Sequence, residues 1–497
     1  MEDLDQRRIF DETYKKLRNG LKSLRRDDFV LNLIHTLRKD EGIPFDEYAK
    51  GKPMPWTMLT LLSLACLYCG GNVDVKKAEE KDFVMLYNFA YDLEGKYSVV
   101  ILKENFHGFF LLLCHQQFWH QREIIRSAFA RVDYIFCSCE QKDIINSWFE
   151  NIIGIPAKIF TELLIATWTV FKINNHFSCN LEKQLAVFGY GESIINKFLK
   201  HASVDIDDVQ AFVQSRPSPV KNYFFQFGER TPFIFRPIIK AYDGGHVLIS
   251  LRLLERTIST YIFEMVKKSG DEAVIKAFAD AFENYCSRLI ECAHIDSWCK
   301  HDLEDAFIGK STDFMFQSDE KTVFLECKST RLSPIAVANP EHKILLSDIK
   351  DSICKAILQA YELAVEINKR CESIEPYVIV VTYEDMFFGE PQRNWDILLR
   401  DYFEHKYPHL HVAEVIPPNR IFIIGVQEFE QLCEYCKGNA WISALLNKAL
   451  EDNATPSTAK HSLLMHVESN EKRNNIPFIT SHFHDIFKRL SAKLPRN

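Results

Sequence analysis

The sequence predicts an α/β protein: an αβββαβ succession behind a large, mainly helical N-terminal domain. Three observations predict it. From Gly270, DEAVIKAFADAFENYCSRLIECA carries Val274, Phe278, Phe282 and Leu289 at helical spacing. STDFMFQSDEKTVFLECKSTRL (311–332) then alternates like a β-hairpin. Finally, PYVIVVT (376–382) and RIFIIGV (420–426) are continuous apolar runs, as in strands covered on both faces. Between hairpin and apolar strands, IKDSICKAILQAYELAVEINKR (349–370) puts Ile349, Ile353, Ile357, Ala360, Ala364 and Ile367 on one helical stripe. Helices packed on a central sheet follow from that order.

The earlier elements are read in turn. Residues 1–215 form the helical domain, of unassigned role. Phe29–Leu37, Trp56–Tyr68 (with Pro55 at a helix start) and 155–173 read as helices. YSVVIL (97–102) and VDYIFC (132–137) read as short strands, which makes Cys137 and Cys139 strand residues. SRPSP (215–219) is the strongest linker signal, and DGG (243–245) turns a hairpin. The expected organisation is therefore 1–215, a linker and hairpin segment at 216–261, an α/β domain at 262–430, and a helical, locally basic tail at 431–497.

The chain has 497 residues, enough for two to four domains, and no low-complexity tract. Its longest apolar stretch falls short of the ~20 residues that span a bilayer. The charged opening MEDLDQRRIF predicts no signal peptide and a cytoplasmic location. Among fourteen cysteines, Cys66/Cys69 and Cys433/Cys436 form CxxC pairs within helix-like runs and read as reduced core residues, as do Cys286, Cys292 and Cys354. His107, His115 and His120 show no metal-ligand spacing and read as satisfied or exposed. A net charge of −8 excludes a surface coated in positive charge; the basic first forty residues and the region after Lys437 read as solvated helix faces. No GxGxxG or GxxxxGK[ST] occurs, so an NTPase or dinucleotide-binding reading is discarded.

The hairpin carries the chemistry. Turning at SDEK (318–321), it pairs residues whose numbers sum to 639. Asp313 then faces Glu326, with Cβ atoms ~5 Å apart. Asp313, Met315, Phe324, Glu326 and Lys328 share one face; Phe314, Phe316, Val323, Leu325 and Cys327 share the other. Opposed carboxylates repel, and a divalent cation between them reverses that sign. In that setting at least one carboxyl should hold its proton to raised pH. A solvated ion-pair triad is the competing reading.

This D-x(n)-[DE]-x-K arrangement resembles the PD-(D/E)xK nuclease superfamily, whose fold is restriction-endonuclease-like, over roughly 262–430. The matching residues are Asp313, Glu326, Cys327 and Lys328. Thr312 stands where the name-giving proline often does. The resemblance implies that Asp313 and Glu326 ligate Mg²⁺ (or Mn²⁺), with the Cys327 carbonyl adding an oxygen. It implies that Lys328 is the catalytic lysine, that Glu283 in AFENYC is the acid on the preceding helix, and that Gln359 in ILQAY reaches the site from the following helix. Lys355 lies one turn before Gln359. The implied activity is metal-dependent phosphodiester hydrolysis, endonucleolytic and on DNA rather than RNA. By further analogy such a chain is a bacterial restriction or anti-phage (antiviral defense) effector, acting with a partner protein or as a homo-oligomer. A ribonuclease on the same fold, or a non-catalytic nucleic-acid-binding scaffold, are the alternatives.

Overall fold

The computed structural model describes residues 2–48, 50–70, 75–121, 125–174, 177–215, 223–307, 311–318, 321–370 and 374–493. It is mixed α/β and mostly helical, with two small mixed sheets. The first sheet has four short strands, β1 (Ser178–Cys179), β2 (Ser203–Asp205), β3 (Ile238–Lys240) and β4 (His246–Leu248), in the order β1-β4-β3-β2. β3 and β4 are antiparallel and flank the DGG turn, where Gly244 takes a positive φ of 78° that favours glycine.

The second sheet positions the site. It runs β5 (Trp298–Cys299), β6 (Phe314–Ser318), β7 (Lys321–Lys328), β8 (Glu375–Thr382) and β9 (Ile421–Gly425), adjacent in that order. β6 pairs antiparallel with both β5 and β7, whereas β7, β8 and β9 are parallel. The parallel step from β7 to β8 needs a crossover, and the helix Ile353–Arg370 provides it. The hairpin register runs from Phe314 opposite Leu325 to Ser318 opposite Lys321, so every pair sums to 639. The expected tip residues Asp319 and Glu320 lie outside the described residues, as does the SRPSP linker after Ser215.

Strand alternation sends side chains into two cores. Phe314, Phe316, Val323, Leu325, Tyr377, Ile379 and Val381 pack with the helix Glu272–Cys292, through Phe278, Phe282 and Leu289. Met315, Phe324, Val378 and Val380 pack on the other face with Ile353, Ile357, Ala360, Ala364 and Ile367. The hairpin is thus covered on both sides, and its charged face is not the solvated side of a half-buried hairpin. The first of these cores also takes in Phe129, Phe149 and Phe160 from the helices Ile125–Asp133, Lys142–Ile153 and Ala157–Asn174, and Ile486 and Leu490 from the helix Pro477–Ala492. A third core joins the helices Glu2–Lys22, Arg26–Lys39, Pro55–Tyr68 and Glu80–Glu104.

Two strand expectations are corrected. YSVVIL lies inside the helix Glu80–Glu104, where Tyr97, Val100 and Ile101 are buried at i, i+3 and i+4. Burial of that face outweighs the small helical penalty of β-branched residues, about 0.5 kcal/mol each. VDYIFC ends the helix Ile125–Asp133 and forms the wide helical turn Tyr134–Ser138; Phe129, Val132 and Phe136 recur at helical spacing in the core. Cys137 belongs to that turn and Cys139 ends it.

The histidine expectation is also corrected. His107 and His115 are buried, and the Nε2 atoms of His107, His115 and His120 have no hydrogen-bond partner. Burial drives all three pKa values down, that of His107 to about 4, so they are neutral. The cysteines of both CxxC pairs are free and buried. Much of the basic charge is paired: Arg25 holds Asp28 at 2.6 Å, and Arg489 and Lys493 reach Glu162 at 3.1 and 2.9 Å. Among the described residues no single helix is long and apolar enough to cross a membrane. The bent pair Lys142–Ile153 and Ala157–Ile173, meeting at 74°, reaches that length and apolarity only jointly. Its residues Ile145, Phe149, Phe160 and Leu163 are core residues of the protein.

Candidate active site

Four separate elements bring the sequence-identified residues together. Asp313 immediately precedes β6, Glu326 and Lys328 end β7, Glu283 sits mid-helix in Glu272–Cys292, and Gln359 sits in Ile353–Arg370. The Asp313 carboxylate accepts the Cys327 N–H at 2.7 Å, which fixes the start of one strand to the end of the next. Lys328 Nζ donates to Glu326 Oε2 and, at 3.4 Å, to Gln359 Oε1. The Cys327 side chain points to the opposite core, where its thiol meets that of Cys286. Lys355, one turn before Gln359, is exposed.

Burial dominates the electrostatics. Glu326 is 0% exposed and Asp313 6%. Burial, reinforced by the Asp313 charge, pushes Glu326 up to about 8. Burial also raises Asp313, against the opposing pull of Lys328. Glu283 rises to about 7, first through burial and then through the Asp313 charge. The expected repulsion between the carboxylates is present, and desolvation adds to it. Burial pulls Lys328 down, but Glu326 and Asp313 outweigh it, so its pKa rises and its ammonium stays charged.

One charged neighbour escaped the sequence reading. Lys300, the exposed first residue of the helix Lys300–Phe307, lowers the pKa values of Glu283, Asp313 and Glu326 alike. It follows the two-residue strand β5, too short to leave an alternation in the sequence. Asp280, one turn before Glu283, also acts on that carboxyl.

Among the described residues no group of three or more His, Cys, Asp and Glu side chains is arranged around a metal position. The donors nonetheless fit a hard cation. Glu326 Oε1 is buried and has no hydrogen-bond partner, and three carboxyls each hold protons to raised pH, Glu283 and Glu326 partly through the Asp313 charge. A divalent cation held there would satisfy the orphaned oxygen and offset the excess of acid over Lys328. Oxygen donors without imidazole or thiolate suit Mg²⁺ or Mn²⁺ better than zinc.

No protein-family model matches the chain, and searches of curated proteins and of solved structures find no similar one.

Proposed function

We propose that the chain is a Mg²⁺- or Mn²⁺-dependent nuclease with a restriction-endonuclease-like core, hydrolysing phosphodiester bonds in DNA. The observation that carries this is the meeting of Glu283, Asp313, Glu326, Lys328 and Gln359, from four elements, around one buried carboxylate with an orphaned oxygen. The order helix, three antiparallel strands, helix, parallel strand supports the fold assignment.

Asp313 and Glu326, with the Cys327 carbonyl, are the residues to hold the cation. Once bound, it supplies charge neutralisation at a phosphate oxygen and acidifies a water. Lys328 remains protonated, so it acts as a donor and fixed positive charge toward phosphate rather than as a base. Gln359 accepts a second hydrogen bond from the ammonium, beside the one to Glu326, and so restrains it. Glu283, poised at about 7, exchanges a proton near neutrality and is the candidate acceptor from an attacking water. Lys300 supplies positive charge at the rim for the nucleic-acid backbone. A cytoplasmic restriction or anti-phage role fits such an enzyme with a large helical N-terminal region.

Purified protein incubated with duplex DNA, single-stranded DNA and RNA in Mg²⁺, Mn²⁺ or EDTA tests the proposal. Cleavage of DNA should require metal and vanish in Asp313→Asn. Cleavage of RNA alone would move the substrate to RNA. A second reading, a non-catalytic scaffold, draws on the enclosure of Glu326 and its bond to Lys328; it prevails if no nucleic acid is cut with any metal.

A further inference from the structure

A cavity of about 690 Å³ lies between the N-terminal helices and the helix Leu251–Ser269. Ligand pockets occupy roughly 300–1,000 Å³, whereas ordinary core voids barely exceed a water molecule. This cavity shares no residue with the carboxylate site. Its wall includes the segment Pro334–Val337 that follows β7.

One side of the cavity is aromatic. Trp119 and His120 have ring centroids 3.5 Å apart, and Trp56 lies 6.1 Å from His120. His120 is neutral, so this wall carries no charge.

Elsewhere the lining is mostly aliphatic, through residues such as Leu59, Leu64, Ile234 and Leu253, with the cations Arg230, Arg256 and Lys268 set among them. Glu264 is held by Arg331 at 2.6 Å and Arg230 at 3.5 Å, while Arg230 also reaches Glu384 at 2.8 Å. Lys268 stands 3.9 Å from Glu264 and over the Phe235 ring. Glu229 is the second acid on the wall. Arg256 differs from all of these. Among the described residues its guanidinium makes no hydrogen bond or ion pair; its contact is the Trp119 ring, 5.4 Å from Cζ. Burial, then the neighbouring Arg230 charge, lowers it to about 10, against the opposing pull of the Glu384, Asp385 and Glu264 charges. A guanidinium with five donors and no acceptor is costly in such a place unless an anion supplies acceptors.

We propose that this cavity binds a nucleotide, with its phosphate on Arg256 and its base against the Trp119–Trp56 wall. Each part of the ligand matches a feature of the lining: an anion for the guanidinium that has no hydrogen-bonding partner, and a flat ring for indoles that stack without reading base identity.

The test is titration of the full chain in EDTA with ADP, pyrophosphate and adenosine, followed by calorimetry and tryptophan fluorescence. ADP should bind saturably and quench tryptophan emission. Pyrophosphate and adenosine should each bind at least ~10-fold more weakly, because each lacks one half of the recognition. Arg256→Gln and Trp119→Leu should each weaken ADP at least ~10-fold. Arg256→Gln should leave the unfolding temperature within about two degrees of the parent's, since the guanidinium is only partly buried and gives up no hydrogen bond. Asp313→Asn should bind ADP normally, which separates this site from the nuclease reading. Absence of saturable ADP binding up to ~10 mM, or equal affinity in a folded Arg256→Gln, would overturn the proposal. Pyrophosphate binding as tightly as ADP would overturn the base contact, and adenosine binding as tightly as ADP the phosphate contact.

Discussion

Glu326 and Lys328 stand two residues apart on one face of β7, and the lysine ammonium is bonded to a carboxylate that solvent does not reach. The lysine side chain itself is 20% exposed, so it spans from interior to surface. Glu326 has one oxygen engaged and one orphaned. The pair is half of an incomplete neutralisation, and its perturbation separates catalysis from stability.

Lys328→Met should reduce DNA cleavage by about 10³-fold or more, since the fixed charge facing the phosphate is lost. Metal affinity, measured by calorimetry, should stay the same or tighten, because a competing cation is removed. Stability should fall by about 1–3 kcal/mol near pH 8 and much less near pH 6, where Glu326 can take up a proton instead. Equal loss at both pH values would show that the lysine acts mainly through packing.

Glu326 and Glu283 keep their protons up to about 8 and 7 in the folded chain, well above ordinary glutamates. Their raised folded-state pKa values favour the fold at low pH, and that advantage is lost as pH climbs through 7 to 8. In EDTA, the unfolding temperature should therefore decline between about pH 6 and 8.5, with a shallower slope in Glu326→Gln. Added Mn²⁺ must displace those protons, so its stabilising shift should grow over the same interval. A shift that is equal at both ends would argue against carboxylate ligation at this site.

The hairpin was readable because parity is unforgiving. One residue of slip would move Glu326 to the Cys286 side, and the apolar set Phe314, Phe316, Val323 and Leu325 excludes that slip. Gln359 was readable because the stripe through Ile353, Ile357 and Ala360 orients the whole helix. Solvation was not readable: alternation does not tell whether Met315 and Phe324 meet water or the helix Ile353–Arg370. Tyr97–Leu102 and Val132–Cys137 misled because short β-branched and aromatic runs suit strand or buried helix alike. Lys300 and the cavity around Arg256 depend on contacts between distant segments, which leave no local pattern.

Arg131 and Glu430 form a buried pair 2.5 Å apart, and Tyr285 donates to the same Glu430 oxygen at 2.8 Å. The three residues come from the helices Ile125–Asp133, Val426–Tyr435 and Glu272–Cys292, so the contact ties the early helices to the sheet region. Arg131→Met strands a buried carboxylate and should cost about 3–5 kcal/mol in urea unfolding. The double variant Arg131→Met with Glu430→Gln should recover most of that loss. Additive losses would mean that the pair contributes through shape alone.

Gln359 and Lys300 should separate in kinetics, because one restrains the ammonium and the other faces solvent. Gln359→Ala removes the 3.4 Å hydrogen bond to Lys328. It should lower kcat about tenfold with KM and metal affinity unchanged, since the ammonium stays charged but is less well placed. Gln359→Glu should place a second negative oxygen beside Lys328, strengthen its hold on the proton and shift the alkaline limb of the rate profile upward. A purely structural Gln359 would leave that limb where it is. Lys300→Ala should instead raise KM, leave kcat within about twofold, and reduce the salt dependence of DNA binding by about one phosphate contact. If Lys300→Ala lowers kcat as far as Lys328→Met does, the positive charge at the rim takes part in the chemical step and Lys328 is not the lysine that faces the phosphate.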